Sequence, residues 1–387
     1  MKIRQLYVYP VKSLRGCSVP TATLTSYGLK YDRKYMVVRI KPDENGKTTY
    51  ESQYVGNVDA LCLFSASILP DYENAKVVRV TYNTPAALTE KETVVKHRGG
   101  EDPYIEFPIS ADHMKLEKVD LVIHKSKCVG YDMGAEYQEF FTKHLGYPAK
   151  LVYVGDSTRK VQGNLAPDQT NLTRENDFDT GNQRAIAPPS EWLVFGLFTW
   201  ILWYILGWNA EGSKYTIQFS DVAPVLVAST VSLEELNRGK KESEKTLDLD
   251  ITKLRPNIVL EPSDDTEMTP FEEDYWAELE VGRKGAGDVR KIMLTGNCGR
   301  CKSLNVDYET GKQLPVDGQM LKRLSDMHRR VDAGYAYSPI FGRYGFISKD
   351  SLRKDIKIGE EVTVTKKNKE RTVFYWPGLS SGTRSKK

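Results

Sequence analysis

Apolar and polar residues along much of this chain repeat with a period near two. Residues 3–9 alternate, are rich in β-branched and aromatic side chains, and stop at Pro10. Similar runs follow at 22–26, 35–40, 77–82, 93–96, 104–107 and 119–124, separated by breaks rich in Gly, Pro and Asn. This spacing of short strands predicts a β-barrel or sandwich. The first clear helical period covers 134–145, with Tyr137, Phe140, Phe141, His144 and Leu145 on one stripe and Gly146 as its stop. A strand over 149–154, a long polar loop over 155–189 and a strand over 223–228 come next. Ser232-Leu233-Glu234-Glu235 matches a capping box that would open a helix to about Arg238. Residues 240–250 are charged and read as solvated, and strands are predicted at 258–260, 277–281, 292–295 and 361–365. The expectation is a mixed α/β fold dominated by antiparallel β.

One segment departs from this pattern. Residues 192–208 carry no charge and hold four of the six tryptophans. As a helix they would rise about 26 Å against a hydrocarbon core of about 30 Å, with Trp at both ends as in an interfacial belt. A full span would put the two halves of the chain on opposite sides of a membrane. The alternatives are a re-entrant or monotopic anchor, a buried helix, or a segment missing from the mature protein. The tail 366–387 carries seven Lys/Arg and one Glu around Phe374-Tyr375-Trp376, a composition suited to an anionic membrane surface.

Composition adds bounds. The chain has 387 residues, 40% hydrophobic and 28% charged, enough for two domains or for one large domain with additions. The net charge of +3 gives no support to nucleic-acid binding. Five cysteines, an odd number and scattered, fit a reducing compartment. Because the N-terminus reads directly as a strand, with no signal or transit pattern, an intracellular protein is expected.

Candidate chemistry centres on residues 296–311, Gly-Asn-Cys-Gly-Arg-Cys-Lys-Ser-Leu-Asn-Val-Asp-Tyr-Glu-Thr-Gly, read as a glycine-bracketed loop after a strand. Arg300 and Lys302 flank its thiols, and neighbouring cations favour the thiolate that binds metals or attacks. The Cys298–Cys301 spacing suits zinc, but there is no second pair. The residues that follow do not read as the helix a thioredoxin-type site needs. Alone, the motif means a reactive or metal-binding thiolate, or two structural cysteines. Lys12-Ser13, Asp32-Arg33, Arg255-Pro256-Asn257 and Gly299-Arg300 also fall beside strand ends. Singly they read as solvated charges. Together they could cradle an anionic, phosphate-bearing cofactor. There is no P-loop, no dinucleotide fingerprint and no Ser-His-Asp set. The histidines at 97, 113, 124, 144 and 328 lack metal-ligand spacing and read as structural.

These segments, in this order, resemble the MOSC-domain proteins, and among them the mitochondrial amidoxime-reducing components. The matches begin with Tyr9-Pro10-Val11-Lys12-Ser13, Gly28-Leu29 with Asp32-Arg33, Gly130-Tyr131-Asp132 and Phe219-Ser220-Asp221-Val222-Ala223-Pro224. They continue with Leu254-Arg255-Pro256-Asn257-Ile258, Glu273-Asp274 with Trp276, residues 297–302, Val306-Asp307 with Thr310-Gly311, Ser338-Pro339-Ile340-Phe341-Gly342, and Ile358-Gly359.

The resemblance implies an N-terminal β-rich domain (1–155) packed on a MOSC β-barrel (215–365), with 156–214 as a polar loop plus hydrophobic insert and 366–387 as a basic tail. It implies a molybdenum–molybdopterin cofactor between the domains, with Cys301 as metal ligand and Cys298 beside it or structural. Lys12, Ser13, Arg33, Arg255, Asn257, Gly299 and Arg300 would then contact the cofactor. Asp221, from its loop position alone, is taken as a proton-relay or orienting group. The implied reaction is two-electron reduction of N-hydroxylated compounds such as amidoximes and hydroxylamines. Since no iron–sulfur cysteine cluster is present, electrons would come from an external donor, cytochrome b5 with its reductase. The animal proteins' N-terminal anchor has no counterpart here, and 192–208 could replace it. That leaves the mitochondrial outer membrane and the cytoplasm both open. The rival readings are a carrier module for the cofactor or its sulfur, and a dithiol redox protein.

Overall fold

The computed structural model describes residues 1–85, 102–170, 213–238, 249–283, 287–330 and 338–374, with the backbone of two short strands at Ala87–Leu88 and Val94–Val95. The hydrophobic segment 192–208 and most of the basic tail lie outside these residues. Among those described, no helix is long and apolar enough to cross a membrane.

The fold is mainly β, as expected, and two sheets carry it. In the first, Ala149–Tyr153, Ser126–Asp132, Lys118–Ile123, Thr48–Ser52 and Tyr35–Pro42 follow in order, and Ala149–Tyr153 also pairs with Tyr35–Pro42. The sheet thus closes into a barrel, with Val11–Lys12 added alongside Tyr35–Pro42. In Lys118–Ile123 the alternation is strict: Val119, Leu121 and Ile123 are buried and the residues between them face solvent. Tyr35, Met36, Val37 and Val38 are all buried, as befits a strand covered on both faces. The helix Ala135–Leu145 packs Phe141 against Phe64, with ring centroids 5.6 Å apart. It ends where Gly146, at φ 76°, donates to the Thr142 carbonyl at 3.0 Å.

The second sheet has eight strands, in the order Val362–Lys367, Trp276–Val281, Arg290–Gly299, Ile340–Ile347, Val225–Ser229, Ile258–Glu261, Lys2–Val8 and Cys17–Val19. The chain therefore begins in the second sheet and crosses to the first at Tyr9-Pro10. Asn257 ties this crossover down, accepting from Tyr7 N–H through its backbone carbonyl at 2.9 Å. Phe219 and Val306, from the second half of the chain, insert into the core of the first barrel.

Three local expectations change. The cysteine motif is not all loop: the strand Arg290–Gly299 runs through Cys298, and a short 3-10 turn, Lys302–Asn305, follows Cys301. Two register shifts against Ile340–Ile347, between Leu294 and Gly296 and between Asn297 and Gly299, re-aim the chain just before the cysteines. The helix Thr230–Arg238 begins two residues before Ser232. The Ser232 hydroxyl is not a cap; it donates to Glu273 Oε2 at 2.7 Å and accepts from Phe271 N–H at 2.8 Å.

Candidate active site

An open cavity of about 580 Å³, mouth included, lies where the crossover meets the second sheet. Of the residues singled out in the sequence, Arg33, Asp221, Arg255, Asn257, Cys298, Gly299, Arg300 and Cys301 line it. Lys12 reaches it through an ion pair with Asp221. Ser13 does not line it: its hydroxyl donates to the Gln53 carbonyl at 3.0 Å.

The cations are buried and held from behind. Arg33 pairs with Asp32, whose other oxygen accepts from Tyr9 N–H at 2.8 Å. Burial opposes the Arg33 charge, but Asp32 and Asp221 more than restore it. Arg255 donates Nη1 to the Leu14 carbonyl at 2.5 Å and stands 4.4 Å over the Tyr9 ring. Its Nη2 is buried and has no hydrogen-bond partner among the described residues. Burial, then the like charge of Arg33, lower the Arg255 pKa. Arg300 donates to Cys298 Sγ at 2.9 Å and to the Leu254 carbonyl at 3.0 Å. Four cations (Lys12, Arg33, Arg255, Arg300) thus face two carboxylates, Asp32 and Asp221.

Asn257 is fully buried and acts as the joint between the sheets. Its Oδ1 accepts from Arg33 Nη1 at 3.2 Å and from Leu226 N–H at 3.1 Å, and its Nδ2 donates to the Tyr7 carbonyl at 3.3 Å.

Asp221 is the carboxylate that opens into the cavity, with about half of its side chain, 53%, exposed. Enclosure pushes its carboxyl up, but Lys12 and then His124 hold it well below the usual carboxylate range. Lys12, almost fully buried, is pulled down to about 8 by desolvation despite Asp221. Arg159 sits behind the loop and donates to the carbonyls of Gln218, Ser220 and Asp221. Burial lowers its pKa to about 10.

The two thiols differ. Cys298 is buried, with Tyr344 Oη 3.0 Å away. Cys301 is the one exposed cysteine of the five, with Ser303 Oγ 3.1 Å from its sulfur. No group of three or more His, Cys, Asp or Glu among the described residues is placed to hold a metal.

Sequence reasoning missed His124, Arg159 and Tyr344. His124 Nε2 lies 3.1 Å from Asp221 Oδ1. No motif marks it: in the sequence it closes the run 119–124 and reads as a structural histidine, whereas the strand ends at Ile123 and His124 opens the hairpin turn. Arg159 lies in what reads as a long polar loop. Tyr344 lies on a strand hidden by the glycines at 342 and 345.

Comparison with known proteins agrees with this architecture. A MOSC N-terminal beta barrel domain model matches residues 1–148, and a MOSC domain model matches residues 214–363. Mitochondrial amidoxime reducing component 2 of Bos taurus is 24% identical over 93% of this chain and 82% of its own length. Its counterpart from Macaca fascicularis is 35% identical over 36% of this chain and 38% of its own. Human molybdenum cofactor sulfurase is 21% identical over 96% of this chain, which spans 34% of that longer protein. With both of its halves matched and its cavity at their junction, the chain belongs to the MOSC-domain family.

Proposed function

We propose that this protein is a molybdenum-cofactor-dependent reductase of N-hydroxylated compounds such as amidoximes and hydroxylamines. One observation carries the reading: the single exposed cysteine opens onto a cavity walled by more buried cationic than anionic charge. The residues fit the group. Cys301 provides a soft sulfur ligand. Arg255, with its unpartnered Nη2, and Arg33 and Arg300 provide forked donors for an anionic cofactor tail. Bound there, the molybdenum centre supplies a two-electron couple for N–O cleavage. Gly299 and Asn257 line the same cavity and would contact the cofactor, Ser13 would only support the loop of Lys12, and Asp221 would orient and protonate the substrate.

In this reading residues 1–155 and 215–365 are the two lobes of the enzyme. Electrons arrive singly from an external donor, cytochrome b5 with its reductase. The protein works inside the cell, and 192–208 with the basic tail docks it on a membrane surface, in line with the mitochondrial names of its relatives. A second reading, a carrier of the cofactor or its sulfur, is favoured by the likeness to the sulfurase.

Metal analysis of wild type and Cys301→Ser, made in a host with intact cofactor synthesis, tests both. Stoichiometric molybdenum with dye-driven amidoxime reduction, lost in the variant, is the expected result. Molybdenum without turnover supports the carrier, and no molybdenum in either protein overturns the reductase and leaves the carrier or a dithiol protein standing.

A further inference from the structure

We propose that His124 resupplies Asp221 with protons during N–O reduction, an inference that rests on the reductase reading above. His124 is not a substrate-touching group; it is a positioning and relay residue acting through Asp221. The contact joins the two sheets, from the hairpin between Lys118–Ile123 and Ser126–Asp132 to the loop preceding Val225–Ser229.

The turn itself points to a purpose. It has two central residues, His124 at φ 49° and Lys125 at φ 66°. Both are left-handed, as a type I′ turn demands, and Asn-Gly is the sequence that fits there without strain. A left-handed non-glycine residue costs about 1–2 kcal/mol, and such strain persists where surrounding structure over-determines it, often at functional sites.

The geometry at Asp221 divides its two oxygens. Lys12 and His124 both contact Oδ1, while Oδ2 has no hydrogen-bond partner among the described residues. Asp221 shares the cavity wall with Cys301, so Oδ2 is the oxygen available to a ligand. A ligand in the cavity covers Asp221, and Lys12 is buried behind it. His124 keeps 23% of its side chain exposed and lies against the Tyr54 ring, 6.3 Å between centroids. With Asp221 covered, it is the member of the set that keeps access to solvent, and an imidazole can both accept and donate a proton. The other groups that face the pair are Arg159, Arg33, Arg255 and Tyr344, all of which feel Asp221. Lys12 and His124 themselves hold the Asp221 carboxyl below the usual range, so it rests ionised, ready to accept.

The balance is simple. The substrate N–OH takes two electrons from a one-electron donor and two protons; the N–O bond breaks, an N–H bond forms and the oxygen leaves as water. One proton passes from His124 Nε2 to Asp221 Oδ1, and rotation of the carboxyl group turns that O–H to the departing oxygen, which takes it; the second proton, which forms the N–H bond, comes from solvent. His124 then regains a proton from solvent.

The test uses the molybdenum-loaded full chain with benzamidoxime and reduced methyl viologen. His124→Gln and His124→Ala should lose about 10²-fold in kcat with KM little changed. Their rate should depend on pH differently from that of the wild type, and added imidazole should restore rate to His124→Ala. A readout independent of turnover is the ¹³C carboxyl titration of Asp221 in cofactor-free protein. It should move up toward the ordinary carboxylate range in His124→Gln, since His124 helps hold it down. Loss of rate with an unchanged pH profile and no rescue marks a structural role and overturns the relay, as does an Asp221 titration indifferent to His124. A wild type that turns over beside equally active variants sinks the relay alone. A loaded wild type that does not turn over sinks the reductase reading and the relay with it.

Discussion

Arg255→Met separates a binding cation from a structural one. In the protein alone Arg255 makes one charge-assisted bond, Nη1 to the Leu14 carbonyl, and leaves Nη2 buried without a partner among the described residues. Such a bond contributes about 1.5–3 kcal/mol, whereas an unmade buried donor costs about 1–3 kcal/mol. Repulsion from Arg33 adds to the cost side. Methionine of similar length removes both terms, so the net change in unfolding free energy should stay below about 2 kcal/mol. An anionic ligand that satisfies Nη2 loses a full charge-assisted bond in the variant, about 1.5–3 kcal/mol, or about 10- to 150-fold in Kd. Urea unfolding of both proteins over a pyrophosphate series reads both quantities, because stabilisation follows RT ln(1 + [L]/Kd). The reasoning fails if the variant loses about 4 kcal/mol or more without ligand while the pyrophosphate response is unchanged. Arg255 would then be part of the framework.

Three further outcomes follow from other residues. Glu273 is fully buried and desolvation raises its carboxyl to about 7; its folded pKa exceeds the unfolded one, so it favours folding below about pH 4.5 and that contribution, about 3 kcal/mol, is lost as pH rises through 7. Glu273→Gln should therefore stabilise at pH 8 and change little at pH 5 in urea titrations; equal effects at both would refute this. Arg343, fully buried, binds the Trp276 carbonyl, Asn297 Oδ1 and Thr372 Oγ1, so Arg343→Met strands three acceptors and should cost about 3–5 kcal/mol, with faster proteolysis near Thr372; a loss under about 1 kcal/mol would contradict it. Thiol labelling of the native protein should give one fast-reacting cysteine that disappears in Cys301→Ser and persists in Cys298→Ser, because only Cys301 is exposed; a fast thiol surviving in Cys301→Ser would place the accessible sulfur elsewhere.

What was legible in the sequence was what local pattern determines. Val77–Tyr82 and Tyr104–Pro108 appear where alternation put them, and the helix stops at Gly146 as its residue type requires. Closure of the barrel was not legible, because pairing of Ala149–Tyr153 with Tyr35–Pro42 is set by tertiary packing and leaves no mark in either strand. Ile340–Ile347 was hidden for a related reason: its Gly342, Arg343 and Gly345 look like loop residues, yet the arginine is buried on three acceptors contributed by distant segments. Ser232 shows the limit of motif reading, since its hydroxyl serves Glu273, 41 positions away, rather than the helix end. At the cavity, the cationic loops could be nominated from residue type and position. His124 could not, because its role depends on a contact between residues 97 positions apart.

Nine non-glycine residues among those described have positive φ, and four of them, Ser13, Arg33, His124 and Arg255, belong to the loops that converge on this cavity. At about 1–2 kcal/mol each, this strain adds to the cost of gathering buried like charges. A fold holds such an arrangement only where the surroundings leave no alternative. Here two buried side chains remove the alternatives. Asp32 clamps Tyr9 and Arg33 together, and Asn257 clamps Arg33 to Leu226 and Tyr7. The floor is therefore rigid before any ligand arrives, and an anion entering it spends little of its binding energy on ordering the protein. The walls, by contrast, are unfinished, since Arg255 Nη2 is buried without a partner among the described residues and Asp221 opens about half of its side chain to the cavity. Donor and acceptor are thus presented together over one exposed thiol, which is an arrangement suited to a ligand that carries both an anionic group and an exchangeable proton.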